Sequence, residues 1–146
     1  MVWEKFRLKG VNSRLDEIQA AVINVKMKHL DKDNDKRRLV AKYYIENIKN
    51  SKIILPKYKD WNSHVWHVFV IRTEYRDLLQ EYLYKNSIET IIHYPTPPHK
   101  QLAYLEWNQN NYPITEEIHN TIISIPISPV MTEKEMKYVV DVINAF

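Results

Sequence analysis

The feature that most constrains this chain is the position of its single glycine among 146 residues. Gly10 stands directly before a short polar cluster, and a long segment with helical apolar spacing follows it. The first turn of a helix presents unpaired backbone N–H groups and a partial positive charge, which suit it to holding a phosphate. The sequence therefore predicts a helix start that faces an anion, with Lys9, Asn12 and Arg14 at or near it.

The predicted helix runs from Arg14 to about Asn50, either unbroken or broken once, and would be roughly 55 Å long. Ser13 can cap it, with Asp16 three residues later as a shorter form of the capping-box acid. Residues 31–38 are nearly all charged, so this stretch is either exposed on both sides or kinked. The apolar stripe expected to be buried comprises Leu15, Ile18, Val22, Val25 and Leu30, and it resumes with Leu39, Val40, Tyr43, Tyr44 and Ile48.

Residues 51–146 read as a small domain of alternating strands and helices. The predicted elements are a strand over Val65–Arg72, a helix over Glu74–Lys85, a strand over Thr90–Tyr94, a helix over Ile114–Ile123, an extended piece over Ser124–Ser128 and a helix over Thr132–Phe146. We expect an α+β fold: a small, mainly antiparallel sheet with flanking helices and one long N-terminal helix. The whole chain, 1–146, is one domain, in which residues 1–13 contact an interface or a phosphate, residues 14–50 form a bridging helix and residues 51–146 form the α+β part.

Local signals mark the ends and inner faces of these helices. Asn86 is expected to take the left-handed conformation that usually belongs to glycine after a helix. Thr132 and Glu135 have the spacing of a capping box. The inner faces are predicted to be Leu78, Leu79, Tyr82 and Leu83 in one helix and Met136, Val139, Val140 and Ile143 in the last.

Composition excludes several classes of function. The chain has no cysteine, which excludes disulfides, thiolate nucleophiles and cysteine-based zinc sites. It has neither an apolar run long enough to span a membrane nor a signal-peptide pattern, so we expect a cytoplasmic protein. The net charge of +3 is mild, and the basic residues between 26 and 42 alternate with Asp31, Asp33 and Asp35. This pattern favours a solvated helix face over nucleic-acid binding, the alternative that a cationic stripe would suggest.

A second segment with the character of a binding site leaves a strand and enters a proline-stiffened loop, 95–98. His93 and Tyr94 stand at the strand end, where successive side chains point to opposite faces. Such a pair can hydrogen-bond sugar hydroxyls or phosphate oxygens. Alternatively, His93 satisfies a backbone carbonyl in the core, which composition alone favours. We expect no metal site, because His64 and His67 point to opposite faces and His93 and His99 lack a third ligand.

These segments together resemble the DegT/DnrJ/StrS-type sugar aminotransferases, which use pyridoxal phosphate and act on nucleotide-linked keto sugars. Residues 9–21 match the pattern Lys-Gly-x-Asn-x-Arg-x-x-x-x-Gln-Ala-Ala, and residues 88–101 match Ile-x-Thr-x-x-His-Tyr-Pro-x-Pro-x-His-x-Gln. The strand at 67–72 and the segment Ser-Ile-Pro-Ile-Ser-Pro at 124–129 follow the family in the same order. The likeness is closest to transaminases acting at C3 of dTDP-linked 3-keto-6-deoxyhexoses, and one departure from it is Ser87 in place of the usual glycine.

The resemblance implies a role for each matching residue. Asn12, with Arg14, would contact the pyridoxal phosphate of the partner subunit, and Lys9 would approach the partner's sugar nucleotide. His93 and Tyr94 would contact the sugar or its diphosphate in their own subunit, and the pattern also contains His99 and Gln101. The resemblance assigns no catalytic residue to this chain, because the lysine that binds the coenzyme covalently lies in an earlier, large domain.

The resemblance therefore implies the small C-terminal domain of a homodimeric aminotransferase that serves lipopolysaccharide or surface-glycan synthesis, with glutamate as the expected amino donor. We expect the chain alone to bind no coenzyme covalently and to need a large-domain partner for activity. The alternative is a non-enzymatic module that binds a partner or a sugar nucleotide. Separation from the large domain should expose apolar surface along residues 15–25 and near Trp3 and Phe6, and should cause self-association or a mobile N-terminal segment.

Overall fold

The computed structural model describes residues 9–10 and 16–146. Within them the helices are α1 (Glu17–Met27), α2 (Leu30–Asn47), α3 (Arg76–Lys85), α4 (Pro113–Thr121) and α5 (Glu133–Ala145), and the strands are β1 (Phe69–Arg72) and β2 (Ile122–Ile125). Two 3₁₀ turns, Pro98–Lys100 and Leu102–Trp107, lie between α3 and α4, and the second is kinked at Tyr104. This arrangement confirms the predicted α+β class. None of the helices described is long and apolar enough to cross a membrane.

The sheet is small and antiparallel, as predicted. Strands β1 and β2 pair with Phe69 opposite Ile125 and Arg72 opposite Ile122. Single bridges extend the pair on both sides, from Ile54 to Arg72 and from Ile91 to Ser124. The predicted strand over 90–94 is thus reduced to the bridge at Ile91.

The strand predicted over Val65–Arg72 is also shorter than expected, and the cause is local. Trp66 adopts a left-handed backbone conformation with φ of 49°, which an extended strand does not permit. Its backbone N–H donates to Nδ1 of His64 at 3.0 Å, so the chain turns before the strand begins at Phe69.

The core lies between the sheet and helices α2, α3 and α5. Fully buried side chains include Tyr44, Phe69, Ile71, Leu79, Leu83, Ile123 and Ile143. The hydroxyl of Tyr44 donates to the Pro126 carbonyl at 2.8 Å, and burial raises the pKa of that hydroxyl. Leu78, predicted to face inward, is 61% exposed, because the face of α3 that packs inward is the one carrying Leu79 and Leu83.

The predicted long helix is two helices, which is the alternative with one break. The break falls at Lys28 and His29, before the charged stretch, where the His29 amide bonds to the Lys26 carbonyl three residues back. Residues 31–38 continue as helix, and Arg38 pairs with Asp35 at 2.7 Å. Helix α1 begins at Glu17 rather than Arg14, because Asp16 is extended. The proposed cap Ser13 lies outside the described residues.

The apolar stripe predicted for the first helix is not buried within this chain. Ile18 is 80% exposed, Val22 52%, Val25 62% and Leu30 42%. This agrees with the expectation of uncovered apolar surface along this segment. Leu15, Trp3 and Phe6, which complete that expectation, lie outside the described residues. In the second stripe, Val40, Tyr44 and Ile48 are buried, whereas Leu39 is 66% exposed.

The end of α3 departs from the sequence prediction by one residue. Asn86 has φ of −96° and continues the turn, while Ser87 takes the left-handed conformation with φ of 58°. The Ile88 amide then bonds to the Leu83 carbonyl and the Ser87 amide to the Tyr84 carbonyl, both at 2.9 Å. These two bonds define a Schellman motif, which requires the left-handed residue after the cap and not at it.

The last two helices can also be compared with their predicted bounds. Helix α4 stops at Thr121 rather than Ile123, because Ile122 and Ile123 enter β2 and are buried in the sheet. The final helix is confirmed, including its capping box between Thr132 and Glu135.

Candidate functional site

A groove of about 1220 Å³ runs along the edge of the sheet where the residues after Ile91 leave it. One wall is residues 89–93 with Pro95, and the other is residues 124–128 together with part of α3. Backbone hydrogen bonds between Ile91 and Ser124 join the two walls. The segment that carries the predicted sugar-contacting residues therefore forms part of this groove.

His93 is held at the groove by the strand beside it. Its Nδ1 shares a hydrogen bond of 2.9 Å with the Ser124 hydroxyl, and Ser124 is buried on β2. The partner is a side-chain hydroxyl and not the backbone carbonyl that the alternative interpretation required. No hydrogen bond from the residues described reaches Nε2 of His93, and the side chain is half-buried among the groove residues. His93 is thus a positioned polar group on a rigid mount.

Tyr94 is more exposed than His93, at 48% exposure, but the two residues lie beyond the Ile91 bridge and are not part of a strand. The two rings meet edge to face, with centroids 5.6 Å apart. The Tyr94 carbonyl accepts a hydrogen bond of 2.5 Å from Nδ1 of His119 on α4. Because a carbonyl only accepts, Nδ1 of His119 carries the hydrogen. Helix α4 therefore fixes the backbone at the point where the proline loop begins.

A second histidine attaches the far end of the same loop to α4. His99 is only 4% exposed, and its Nε2 donates to a Glu116 carboxylate oxygen at 2.9 Å. This hydrogen bond is the main reason that the pKa of Glu116 is lowered, with help from the Tyr112 amide. Gln101 is buried too, and its amide donates to the Thr96 carbonyl across the loop. His99 and Gln101 therefore hold the loop in place, a role that the sequence pattern containing them did not indicate.

Lys9 lies elsewhere, against the second 3₁₀ turn. Its Nζ is 2.5 Å from a Glu106 carboxylate oxygen and 5.1 Å from the centre of the Tyr104 ring. The hydrogen bond with Glu106 raises the pKa of Lys9 and lowers that of Glu106. A Cβ added to Gly10 would meet no described atom within 4 Å, so no close approach there requires glycine. Asn12 and Arg14, the predicted coenzyme contacts, lie outside the described residues.

The charge of the groove bears on what it can hold. Its lining, within the part of the chain described, contains no lysine or arginine but includes the carboxylates of Asp77, Glu81 and Glu89. A hydrogen bond from Lys85 lowers the pKa of Glu81, which favours its charged form. This lining does not fit the phosphate of pyridoxal phosphate, which needs cations or clustered N–H donors. Hydroxyl groups of a neutral sugar suit it better, because imidazole, hydroxyl and carboxylate groups all hydrogen-bond them.

Metal binding has no support among the residues described, since no three histidine, aspartate or glutamate side chains there group as metal ligands. The two histidines at 64 and 67 do not cooperate, since His64 accepts a hydrogen bond from the backbone of Trp66.

Comparison with known proteins identifies the lineage. Residues 2–144 match the model of the DegT/DnrJ/EryC1/StrS aminotransferase family. The chain belongs to this family. It is 53% identical over 138 residues to dTDP-3-amino-3,6-dideoxy-alpha-D-galactopyranose transaminase of Aneurinibacillus thermoaerophilus, a match that covers 94% of this chain and 38% of that protein. It is also 36% identical over 139 residues to dTDP-3-amino-3,4,6-trideoxy-alpha-D-glucose transaminase of Streptomyces venezuelae, covering 93% of this chain and 37% of that protein.

Solved structures agree with this family assignment. The crystal structure of S. venezuelae DesV in complex with a ketimine intermediate superposes with a TM-score of 0.84 at 35% identity, covering 94% of this chain and 38% of that one. Bacillus subtilis NtdA with bound cofactor PMP superposes with a TM-score of 0.77 at 29% identity, covering 92% of this chain and 33% of that one. The chain thus spans less than two-fifths of the length of these relatives and corresponds to part of a sugar aminotransferase.

Several groups that shape this site were not singled out from the sequence. The sequence does mark Ser124, since this residue opens the Ser-Ile-Pro-Ile-Ser-Pro segment, but its hydrogen bond to His93 was not predicted. No sequence pattern marks Glu116 or His119, because they hydrogen-bond to a loop that is distant in sequence and lies near them only in the folded chain.

Proposed function

We propose that this chain serves as the small domain of a pyridoxal-phosphate-dependent aminotransferase that transfers an amino group, from glutamate, to a nucleotide-linked 3-keto sugar. The observation that carries the proposal is the 53% identity to a dTDP-sugar transaminase over 94% of the chain. The positioned His93, in a groove whose described lining has no lysine or arginine, supports a sugar as the group held there. The product would serve the synthesis of lipopolysaccharide or another surface glycan in the cytoplasm.

In this proposal the chain's own residues bind and orient, while the coenzyme supplies the electron sink that the reaction needs. His93 hydrogen-bonds the sugar through Nε2, because Ser124 already occupies Nδ1. Tyr94 contacts the same ligand from the loop that α4 fixes through His119. Holding these groups in place before the substrate arrives reduces the entropy lost on binding.

The coenzyme contacts of this chain are proposed at Asn12 and Arg14, which reach the partner subunit of a homodimer. Lys9 approaches the sugar nucleotide of that subunit. The exposed apolar face of α1, where Ile18 is 80% exposed and Val25 62%, supports a large apolar contact with the partner or the large domain. The lysine that binds the coenzyme is proposed to lie in the remaining length of the relatives, so this chain by itself does not transaminate.

The decisive experiment is complementation in two pieces. The chain is mixed with a separately produced, coenzyme-loaded large domain from the Aneurinibacillus relative, and amino transfer from glutamate to a dTDP-linked 3-keto-6-deoxyhexose is measured by mass spectrometry. Amino sugar should form only when both pieces are present. His93→Ala and Asn12→Ala should lower the rate at least tenfold, whereas Val130→Ala, at a residue 79% exposed, should not. Transfer by the chain alone would refute the division of labour, and no transfer in a complex that forms would refute the reaction.

The same mixture separates the enzyme proposal from the alternative of a binding module. If the complex forms and binds dTDP but transfers no amino group to any of a panel of keto sugars, the chain acts as a binding module.

A further inference from the structure

The second 3₁₀ turn displays an aromatic pair that the proposed function does not use. The rings of Tyr104 and Trp107 stack with centroids 4.7 Å apart and planes 12° from parallel. Trp107 is 45% exposed and Tyr104 half-buried, so the pair offers ring surface to solvent. Covering ring surface of this size is favourable, so the pair is suited to bind a planar group.

A cation is held beside this pair. Nζ of Lys9 lies 5.1 Å from the centre of the Tyr104 ring while it bonds to Glu106, which sits between the two aromatic residues in sequence. Both side chains of this ion pair are about half exposed, so solvent screens it and the lysine is available to a stronger anion. A doubly charged phosphate group is such an anion, since it offers several charge-assisted hydrogen bonds at once.

Hydrogen bonds attach the segment that carries the pair to its surroundings. The side-chain amide of buried Gln101 donates a hydrogen bond to the Thr96 carbonyl, which ties the start of the turn to the proline loop. Lys100 donates to the carbonyls of Asn108 and Asn110 and so ties the start of the turn to the chain beyond it. Surface aromatic residues on a fixed turn form a suitable stacking platform, because little side-chain entropy is lost when a planar ligand binds.

We infer that Tyr104 and Trp107 form the stacking platform for the base of a nucleoside diphosphate, with Lys9 on the adjacent diphosphate. A base stacks on such rings without needing specific hydrogen bonds, and this accounts for a platform built from ring surface alone. The inference rests on the proposed function, because it places the nucleotide half of the sugar nucleotide that Lys9 approaches. It adds that the platform belongs to the same chain as Lys9, whereas the sugar half of that ligand is held at His93 of the partner subunit.

Nucleotide binding to the 146-residue chain tests the platform without any catalysis. Titration with dTDP, thymidine and inorganic pyrophosphate is followed by NMR of the indole N–H signals, with Trp107→Phe assigning the Trp107 signal. We expect dTDP and thymidine to shift that signal and pyrophosphate to leave it nearly unchanged. Since stacking on an aromatic side chain contributes roughly five- to a hundredfold in affinity, Trp107→Ala and Tyr104→Ala should each weaken dTDP binding by about tenfold or more.

A crossed design separates the two halves of the site. Lys9→Gln should weaken pyrophosphate and dTDP but not thymidine, and Trp107→Ala should weaken thymidine and dTDP but not pyrophosphate. Trp61→Phe is the matched control, because Trp61 stands in a separate aromatic cluster with Tyr58 and Trp66.

The two proposals fail in different ways. If dTDP does not bind the chain, or binds Trp107→Ala and Tyr104→Ala as tightly as the wild type, the platform is refuted while amino transfer in the two-piece mixture still decides the function. If all three ligands weaken together in every variant, the effect is general and the platform is likewise refuted. Circular dichroism of each variant excludes misfolding as the cause, and the indole shift is measured on the wild-type chain, with Trp107→Phe used only for assignment.

Discussion

Helices α1 and α5 are similar in length and both carry apolar residues at helical spacing, yet they end in opposite surroundings. Helix α5 buries Val139, Val140, Val142 and Ile143 against the rest of the chain. Helix α1 buries none of its residues. The difference shows that apolar spacing identifies which face of a helix needs a partner, and that it says nothing about whether the same chain provides one.

The ends of the two helices differ in the same sense. Helix α5 starts with a capping box, and Asn144 near its end accepts from the Lys49 amide and donates to the Asn47 carbonyl, which ties it to α2. Helix α1 starts after Asp16, whose side chain makes no cap hydrogen bond. Isolated helices of this length are marginal in water, so α1 needs packing from a surface beyond this chain more than α5 does.

Truncating one isoleucine in each helix gives the largest expected contrast. Ile143→Ala should lower the free energy of unfolding by about 2–5 kcal/mol, because it leaves a cavity in the core. Ile18→Ala, at a residue 80% exposed, should change it by less than about 0.5 kcal/mol, with alanine's helix propensity offsetting any lost contact. Urea denaturation at low protein concentration measures both. Equal costs at the two sites would mean that α1 is packed in the isolated chain.

The exposed face of α1 should also drive self-association of the chain. The double variant Ile18→Asp/Val22→Asp should raise the dissociation constant of any self-associated form at least tenfold, or about 1.4 kcal/mol, since charges oppose burial of that face. Analytical ultracentrifugation over a range of concentrations measures it. Leu39→Asp is the matched control, because Leu39 is equally exposed but lies on α2. A wild-type chain that stays monomeric at high concentration contradicts the prediction.

What could be predicted from the sequence is what short stretches of chain determine. The last helix follows from the apolar spacing of Met136, Val139, Val140 and Ile143, and its cap follows from Thr132 and Glu135. Both are confirmed. The antiparallel sheet follows from β-branched runs, although the left-handed Trp66 shortened one strand. The prediction that Asn86 takes the left-handed conformation was wrong by one residue, because asparagine suits both the cap of a helix and the position after it.

The contacts that shape the candidate site lay beyond such reasoning, because they join distant residues. His93 was selected from its motif, but its bond to Ser124 depends on the sheet pairing. His99 belongs to the same motif, but its contact with Glu116 could not be predicted, since only the fold brings Glu116 to it. A motif therefore indicates that a residue matters, whereas the fold decides whether it touches a ligand or supports one that does.

Substitutions at the N-caps of α1 and α5 should show the same contrast, with smaller changes in the free energy of unfolding. Thr132→Ala should destabilise the chain by about 1 kcal/mol, because the Thr132 hydroxyl accepts from the Glu135 amide and nothing replaces it. Asp16→Ala should cost no more than a few tenths of a kcal/mol, because Asp16 caps nothing in this chain. Thermal and urea unfolding of the pair measure the difference. A cost at Asp16 as large as that at Thr132 would show that α1 acquires a cap in solution.

The smallest effect isolates the charge within the α5 cap. Hydrogen bonds from the backbone and hydroxyl of Thr132 lower the pKa of Glu135 from its ordinary value of 4.5. Because the folded pKa is the lower one, this carboxylate's stabilisation is complete above pH 4.5 and is lost as the pH falls through the folded value. Glu135→Gln keeps a hydrogen-bond acceptor but removes the charge, so it should be slightly less stable than the wild type at neutral pH, and the gap should close in acid. Urea unfolding of both proteins across this pH range measures the gap, and a gap of constant size would mean that the cap depends on the acceptor and not on its charge.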